Sequence, residues 1–122
     1  MSALIVLGHG SRNAAATEQF NVVVEELRSR QDDPVYAAFM ELAEPSLPDA
    51  VAAAVGAGAS EVVVQPCFLF DGNHIRRDIP ELLAGLAAEY PDVSFRFGKP
   101  IGPDVRVADI LLERAGEAAC LA

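Results

Sequence analysis

The feature that most constrains this chain is a repeated switch between two hydrophobic periods. Short continuous apolar runs alternate with segments whose apolar residues recur at helical spacing. Ala3-Leu4-Ile5-Val6-Leu7 is apolar throughout and runs into glycine, as a strand buried on both faces does. From about residue 14 to residue 30, Phe20, Val23, Val24 and Leu27 fall on one helical face with charges between them. Pro34-Val35-Tyr36-Ala37-Ala38-Phe39 restarts a strand. Ser46 is a good N-cap, Pro48 sits just inside the next helix, and Gly56 and Gly58 mark its end. Glu61-Val62-Val63-Val64-Gln65 is the strongest strand and is expected to continue toward Phe70, which places Cys67 inside it. A helix is expected over residues 79–90, with Pro80 near its first turn and Pro91 past its end. Residues 93–97 alternate like an edge strand with one solvated face, and Asp104 can cap a last helix to about residue 118.

The order β-α-β-α-β-α-β-α predicts a mostly parallel four-stranded sheet with right-handed crossovers and helices on both faces. This is a single small three-layer α/β/α domain over residues 1–122. A chain of this length buries roughly two-thirds of its unfolded surface, so neither disulfide nor structural metal is needed for stability. A sheet this narrow leaves its helical layers incompletely covered, which favours self-association.

Charge and composition exclude several classes. The net charge of −9 argues against nucleic acid and anionic membrane surfaces as partners. No apolar run approaches the ~20 residues of a membrane span. The opening residues lack a basic leader pattern, so the expected compartment is the cytoplasm. Cys67 and Cys120 form no metal or redox spacing and read as free thiols.

Ligands of open parallel sheets bind beyond the carboxyl ends of the strands. On the strand assignment above, that edge carries Gly8-His9-Gly10-Ser11-Arg12, Met40-Glu41-Leu42-Ala43-Glu44, and residues 70–78 with His74, Arg76 and Arg77. The only two histidines of the chain, His9 and His74, both fall there. A single loop histidine is most often merely solvated, but two of two at one edge favour a shared ligand role. Imidazole with carboxylate suits Co²⁺, Ni²⁺, Fe²⁺ or Zn²⁺. Gly8 and Gly10 permit a tight turn and a close ligand approach. The same short glycine loop could instead cradle a phosphate at a helix N-terminus, though it matches neither a Walker loop nor a dinucleotide fingerprint. Ser11 beside His9 lacks the setting of a nucleophile elbow. Arg12, Arg76 and Arg77 flank the histidines and can hold carboxylates locally despite the acidic whole.

Three blocks carry a resemblance: Leu7-Gly8-His9-Gly10-Ser11-Arg12; Phe39-Met40-Glu41 with Glu44-Pro45-Ser46; and Pro66-Cys67-Phe68-Leu69-Phe70 with Gly72-Asn73-His74-Ile75-Arg76-Arg77-Asp78-Ile79-Pro80. Together, and with Lys99-Pro100-Ile101-Gly102-Pro103, they closely resemble the sirohydrochlorin chelatases of the CbiX type over nearly the whole chain. The resemblance implies a chelatase-like fold and a lyase that inserts Co²⁺ or Fe²⁺ into sirohydrochlorin, using no nucleotide; the ligand set alone also suits Ni²⁺. It carries the metal-site roles over onto His9, His74 and Glu41, which also serve as the catalytic residues. Ser11, Arg12, Arg76 and Arg77 are then the candidates for holding the tetrapyrrole. Longer members hold two such halves, so this single half implies a homodimer. Cys67 departs from the larger apolar residue expected at its position. The alternatives are a non-catalytic metal- or tetrapyrrole-binding partner of the same fold, and a flavodoxin-like phosphate or nucleotide binder.

Overall fold

The computed structural model describes residues 1–121, with the side chains of residues 73–75 outside the description. The element order is β1 (Ser2–Gly8), α1 (Ala14–Arg30), β2 (Val35–Phe39), α2 (Leu47–Gly56), β3 (Glu61–Pro66), α3 (Asn73–Glu89), β4 (Ser94–Phe97) and α4 (Val105–Gly116). The strands form one fully parallel sheet in the order β2-β1-β3-β4. The expected α/β architecture is therefore present, and β4 is an edge strand.

Burial follows the predicted apolar pattern. β1 lies between two neighbours, and Ile5 and Leu7 are wholly buried on one face while Val6 is buried on the other. The Ile5 face packs against α2 and α3 through Leu47, Val51, Ile79 and Leu83. The Val6 face packs against α1 through Val24, with Phe20 and Leu27 beside it. One helix on one face and two on the other make three layers. Each fully buried Ile, Leu or Val contributes about 1.5–3 kcal/mol of apolar burial.

The caps agree with the sequence. Asn13, Ser46 and Asp104 accept backbone N–H bonds at the starts of α1, α2 and α4. Arg106 binds the Asp104 carboxylate through both its backbone N–H and its guanidinium, which holds that carboxyl well below the ordinary range.

Three details differ from expectation. α3 begins at Asn73, not at residue 79, so Pro80 lies in the helix interior. Proline there removes one intrahelical bond. Ile79, Leu83 and Leu86 are all buried on the sheet, and that packing outweighs the local penalty. β3 stops at Pro66, leaving Cys67 one residue past the strand; only its N–H still reaches across, to the Leu7 carbonyl at 2.8 Å. α4 ends at Gly116 and buries none of its residues, although Ile110, Leu111 and Leu112 are among its side chains. No described helix is long and apolar enough to cross a membrane.

Candidate functional site

Because all four strands run the same way, their carboxyl ends share one edge. The backbone there does not simply fray into loops. Beyond β1 and β2, the Met40 N–H binds the Gly8 carbonyl at 3.0 Å and the Glu41 N–H binds the His9 carbonyl at 3.2 Å. The ladder thus carries two residues past the strands, and it sets His9 and Glu41 on directly bonded backbones.

His9 is exposed, and its ring stands edge-on to Phe68 with centroids 6.0 Å apart and planes at 88°. Phe68 follows β3, so an aromatic contact from the neighbouring strand's exit orients the imidazole. Glu41 is exposed on the segment between β2 and α2. The Phe39 N–H binds the Pro45 carbonyl at 2.9 Å, which closes this segment back on the strand. The next residue, Leu42, is a non-glycine at φ 63°. A left-handed leucine costs about 1–2 kcal/mol locally, and such strain gathers at functional turns.

The glycines around His9 serve the chain's own close approaches. Gly10 has φ 101°, and a Cβ there would sit 1.7 Å from the Glu41 carbonyl oxygen. A Cβ at Gly8 would meet the Phe20 ring at 2.9 Å. Packing within the chain already requires these glycines: they admit the Glu41 segment and the ring under it.

His74 lies in the first turn of α3, and its side chain is outside the described residues. The strands whose exits carry the two histidines are nonetheless adjacent, with Leu7 paired to Pro66. Among the described residues, no three His, Cys, Asp or Glu side chains converge as a closed metal cage. Ser11 is half-buried, and its hydroxyl oxygen accepts the Asn13 N–H at 3.0 Å, shaping the turn into α1. Arg12 and Arg77 are exposed, whereas Arg76 pairs with Asp71 at 3.6 Å. Cys67 packs beside the Val6–Val24–Val35 cluster, and burial pushes its thiol up, away from the thiolate a metal would require.

Hollows of different size open along this edge. The one at His9 holds only about 150 Å³, between Gly8, Ser11, Thr17 and Phe39. A larger cleft of about 680 Å³ lies between the start of α3 and the segment after β4. Arg76, a candidate from the sequence, lines that cleft; Lys99 and Phe97, which also line it, were not candidates. In the sequence, the block from Lys99 to Pro103 carries only part of a resemblance. A lone lysine after an edge strand carries no signal until the fold places it.

Comparison with known proteins gives a consistent set of likenesses. A family model described as CbiX matches residues 3–118. The sirohydrochlorin cobaltochelatase of Methanococcus maripaludis is 34% identical over 94% of this chain and 98% of that protein. The sirohydrochlorin ferrochelatase of Priestia megaterium is 33% identical over 96% of this chain, but the match spans only 44% of that longer protein. The solved sirohydrochlorin chelatase SirB from Bacillus subtilis subspecies spizizenii, in complex with cobalt, superposes with a TM-score of 0.90 at 34% identity, covering 97% of this chain and 51% of that one.

Proposed function

This chain belongs to the CbiX family, and from that premise we propose that it inserts a divalent metal ion, Co²⁺ or Fe²⁺, into sirohydrochlorin without a nucleotide. The observation that carries the reading is the bonded pair of strand exits, with the Glu41 N–H on the His9 carbonyl at 3.2 Å, beside the exit that leads to His74. His9, His74 and Glu41 hold the ion as substrate. An incoming metal needs few protein ligands and open positions, so that the macrocycle nitrogens can replace the protein. Two pyrrole N–H protons must leave during insertion. Glu41 or an imidazole of the pair accepts them as general base. Arg12, Arg76 and Arg77 steady the carboxylates of the macrocycle, with Ser11 shaping the turn that presents Arg12.

The chain spans about half the length of the Priestia relative and nearly all of the Methanococcus one. The single half acts as a homodimer in this reading. Two observations support it: the hollow at His9 is about 150 Å³, too small to enclose a tetrapyrrole alone, and α4 leaves its apolar residues exposed. The reaction takes place in the cytoplasm. Metal choice follows supply as well as ligand type, because nitrogen and oxygen ligands accept several divalent ions.

The test is anaerobic absorbance spectroscopy of sirohydrochlorin with Co²⁺, Fe²⁺ or Ni²⁺, with and without the protein. Metallation faster than the uncatalysed rate is the expected result. Binding of the macrocycle without acceleration would instead identify a non-catalytic partner. Sedimentation at micromolar concentration should give twice the chain mass; an active monomer would remove the dimer from the account.

A further inference from the structure

The chain has nine cationic side chains, eight arginines and Lys99, against eighteen acidic ones. Arg28, Arg30, Arg76, Arg96, Arg106 and Arg114 each form an ion pair with a carboxylate. Among the described residues, only Arg12, Arg77 and Lys99 have no such pair. Arg12 follows β1, Arg77 lies early in α3 after β3, and Lys99 follows β4. All three therefore stand at the carboxyl edge of the sheet, where a polyanion must be met.

Lys99 differs from the two arginines in how its backbone is held. The Gln65 side chain donates from Nε2 to the Lys99 carbonyl at 2.6 Å and to the Pro66 carbonyl at 3.1 Å. The Gly98 N–H binds the Val64 carbonyl at 2.9 Å, and a Cβ at Gly98 would fall 2.0 Å from Gln65 Oε1. Two residues on, the Ile101 N–H binds the Phe68 carbonyl at 2.9 Å. That carbonyl belongs to the residue whose ring orients His9. The segment bearing Lys99 is thus fastened to β3 and to the wall of the candidate metal site. Less conformational freedom is lost when a fixed backbone binds a ligand.

Lys99 and Arg76 line the cleft of about 680 Å³, whose walls include Phe70, Phe97 and Ile101, all exposed. Asp71 is also present and pairs with Arg76 at 3.6 Å, so of the two cations Lys99 is the one without a carboxylate partner. An apolar surface with a charged rim matches a macrocycle whose ring is apolar and whose periphery carries carboxylates.

We infer that this cleft is a carboxylate-anchoring subsite for the tetrapyrrole, with Lys99 as its specificity-determining cation and Gln65 as the positioning residue. The inference rests on the proposed function and adds to it a residue and a place. An ammonium on an exposed carboxylate contributes modestly, so the effect belongs in substrate affinity and not in turnover.

The experiment measures sirohydrochlorin binding without metal, by fluorescence quenching, and metallation kinetics with Co²⁺, for wild type, Lys99→Ala, Lys99→Glu, Lys99→Arg and Gln65→Ala. Arg30→Ala, at the end of α1 and outside the cleft lining, is the control. Lys99→Ala should raise Kd and KM about three- to tenfold, Lys99→Glu more, and Lys99→Arg should restore most of the loss, with kcat within about twofold throughout. Gln65→Ala should raise KM in the same direction, and Arg30→Ala should change neither constant. Wild type that binds and metallates sirohydrochlorin while Lys99→Glu binds as tightly would overturn the subsite and leave the function standing. Wild type that neither binds nor metallates it would overturn both.

Discussion

Two glycines at opposite ends of the sheet have nearly the same φ. Gly10, beyond the carboxyl end of β1, has φ 101°, and Gly58, in the turn before β3, has φ 104°. Their surroundings differ sharply. A Cβ at Gly10 would overlap the Glu41 carbonyl oxygen at 1.7 Å, whereas one at Gly58 would meet only the Met1 side chain at 3.9 Å. Gly58 serves a turn. Gly10 serves a turn and also the close seating of another loop, the one that carries Glu41.

Both ends are fastened by main-chain hydrogen bonds, but they differ in what the side chains beside them do. At the amino end, main chain, side chain and terminus all fasten the chain: the Ser60 N–H binds the Met1 carbonyl and the Leu4 N–H the Pro34 carbonyl, both at 2.9 Å, and the Met1 amino group donates to Ser60 Oγ at 3.2 Å. At the carboxyl end, the backbone does most of the fastening, through the bonds between His9 and Glu41, Gly8 and Met40, and Phe68 and Ile101. His9, Glu41, Arg12, Arg77 and Lys99 are thereby left for a ligand. A fold that holds its loops by main-chain bonds keeps its side chains for chemistry.

Substitutions at the paired positions test this contrast. Gly10→Ala should have the largest effect, displacing the Glu41 segment, costing roughly 3 kcal/mol or more of stability and lowering turnover as well. Gly58→Ala should cost only about 1–2 kcal/mol from its positive φ, with unchanged metallation kinetics; equal outcomes for the two variants in denaturant melts and rate assays would erase the distinction. Glu41→Ala should leave stability near wild type and lower kcat by about 10²-fold if the carboxylate takes the pyrrole protons. Arg77→Ala should act on KM, by about 1 kcal/mol or less, and lose its effect in high salt.

The smallest effect is expected at Cys67. Its raised thiol pKa means that the folded chain keeps the proton longer than the unfolded chain does. That contribution to stability is complete below the ordinary value of 9.0 and falls as pH rises through the folded-state value. Mass spectrometry after brief alkylation at pH 8 should find exposed Cys120 modified well before half-buried Cys67. Equal rates would show that the exit of β3 opens freely.

The alternation of elements was legible because each strand is a short apolar run and each cap uses a side chain with one local job, as Ser46 and Asp104 show. The start of α3 was not. Pro80 reads as a first-turn residue, and only the burial of Ile79 and Leu83 against the sheet explains a helix that passes through it. The edge carrying His9 and Glu41 followed from the parallel order and the rule on strand ends. Their backbone bond, the left-handed Leu42 and the part played by Phe68 did not, because each depends on contacts between segments distant in sequence. Lys99 was invisible as a site residue for the same reason: its neighbours in the cleft come from α3 and from the exit of β3.

The central claim is that the His9 edge of this single half inserts metal. The most direct measurement is the initial rate of Co²⁺ insertion into sirohydrochlorin under anaerobic conditions, wild type against His9→Ala at equal concentration, with the uncatalysed rate subtracted. A clear wild-type acceleration is expected, falling by about 10²-fold or more in the variant. A wild-type rate no higher than background, or a His9→Ala rate equal to wild type, would contradict it.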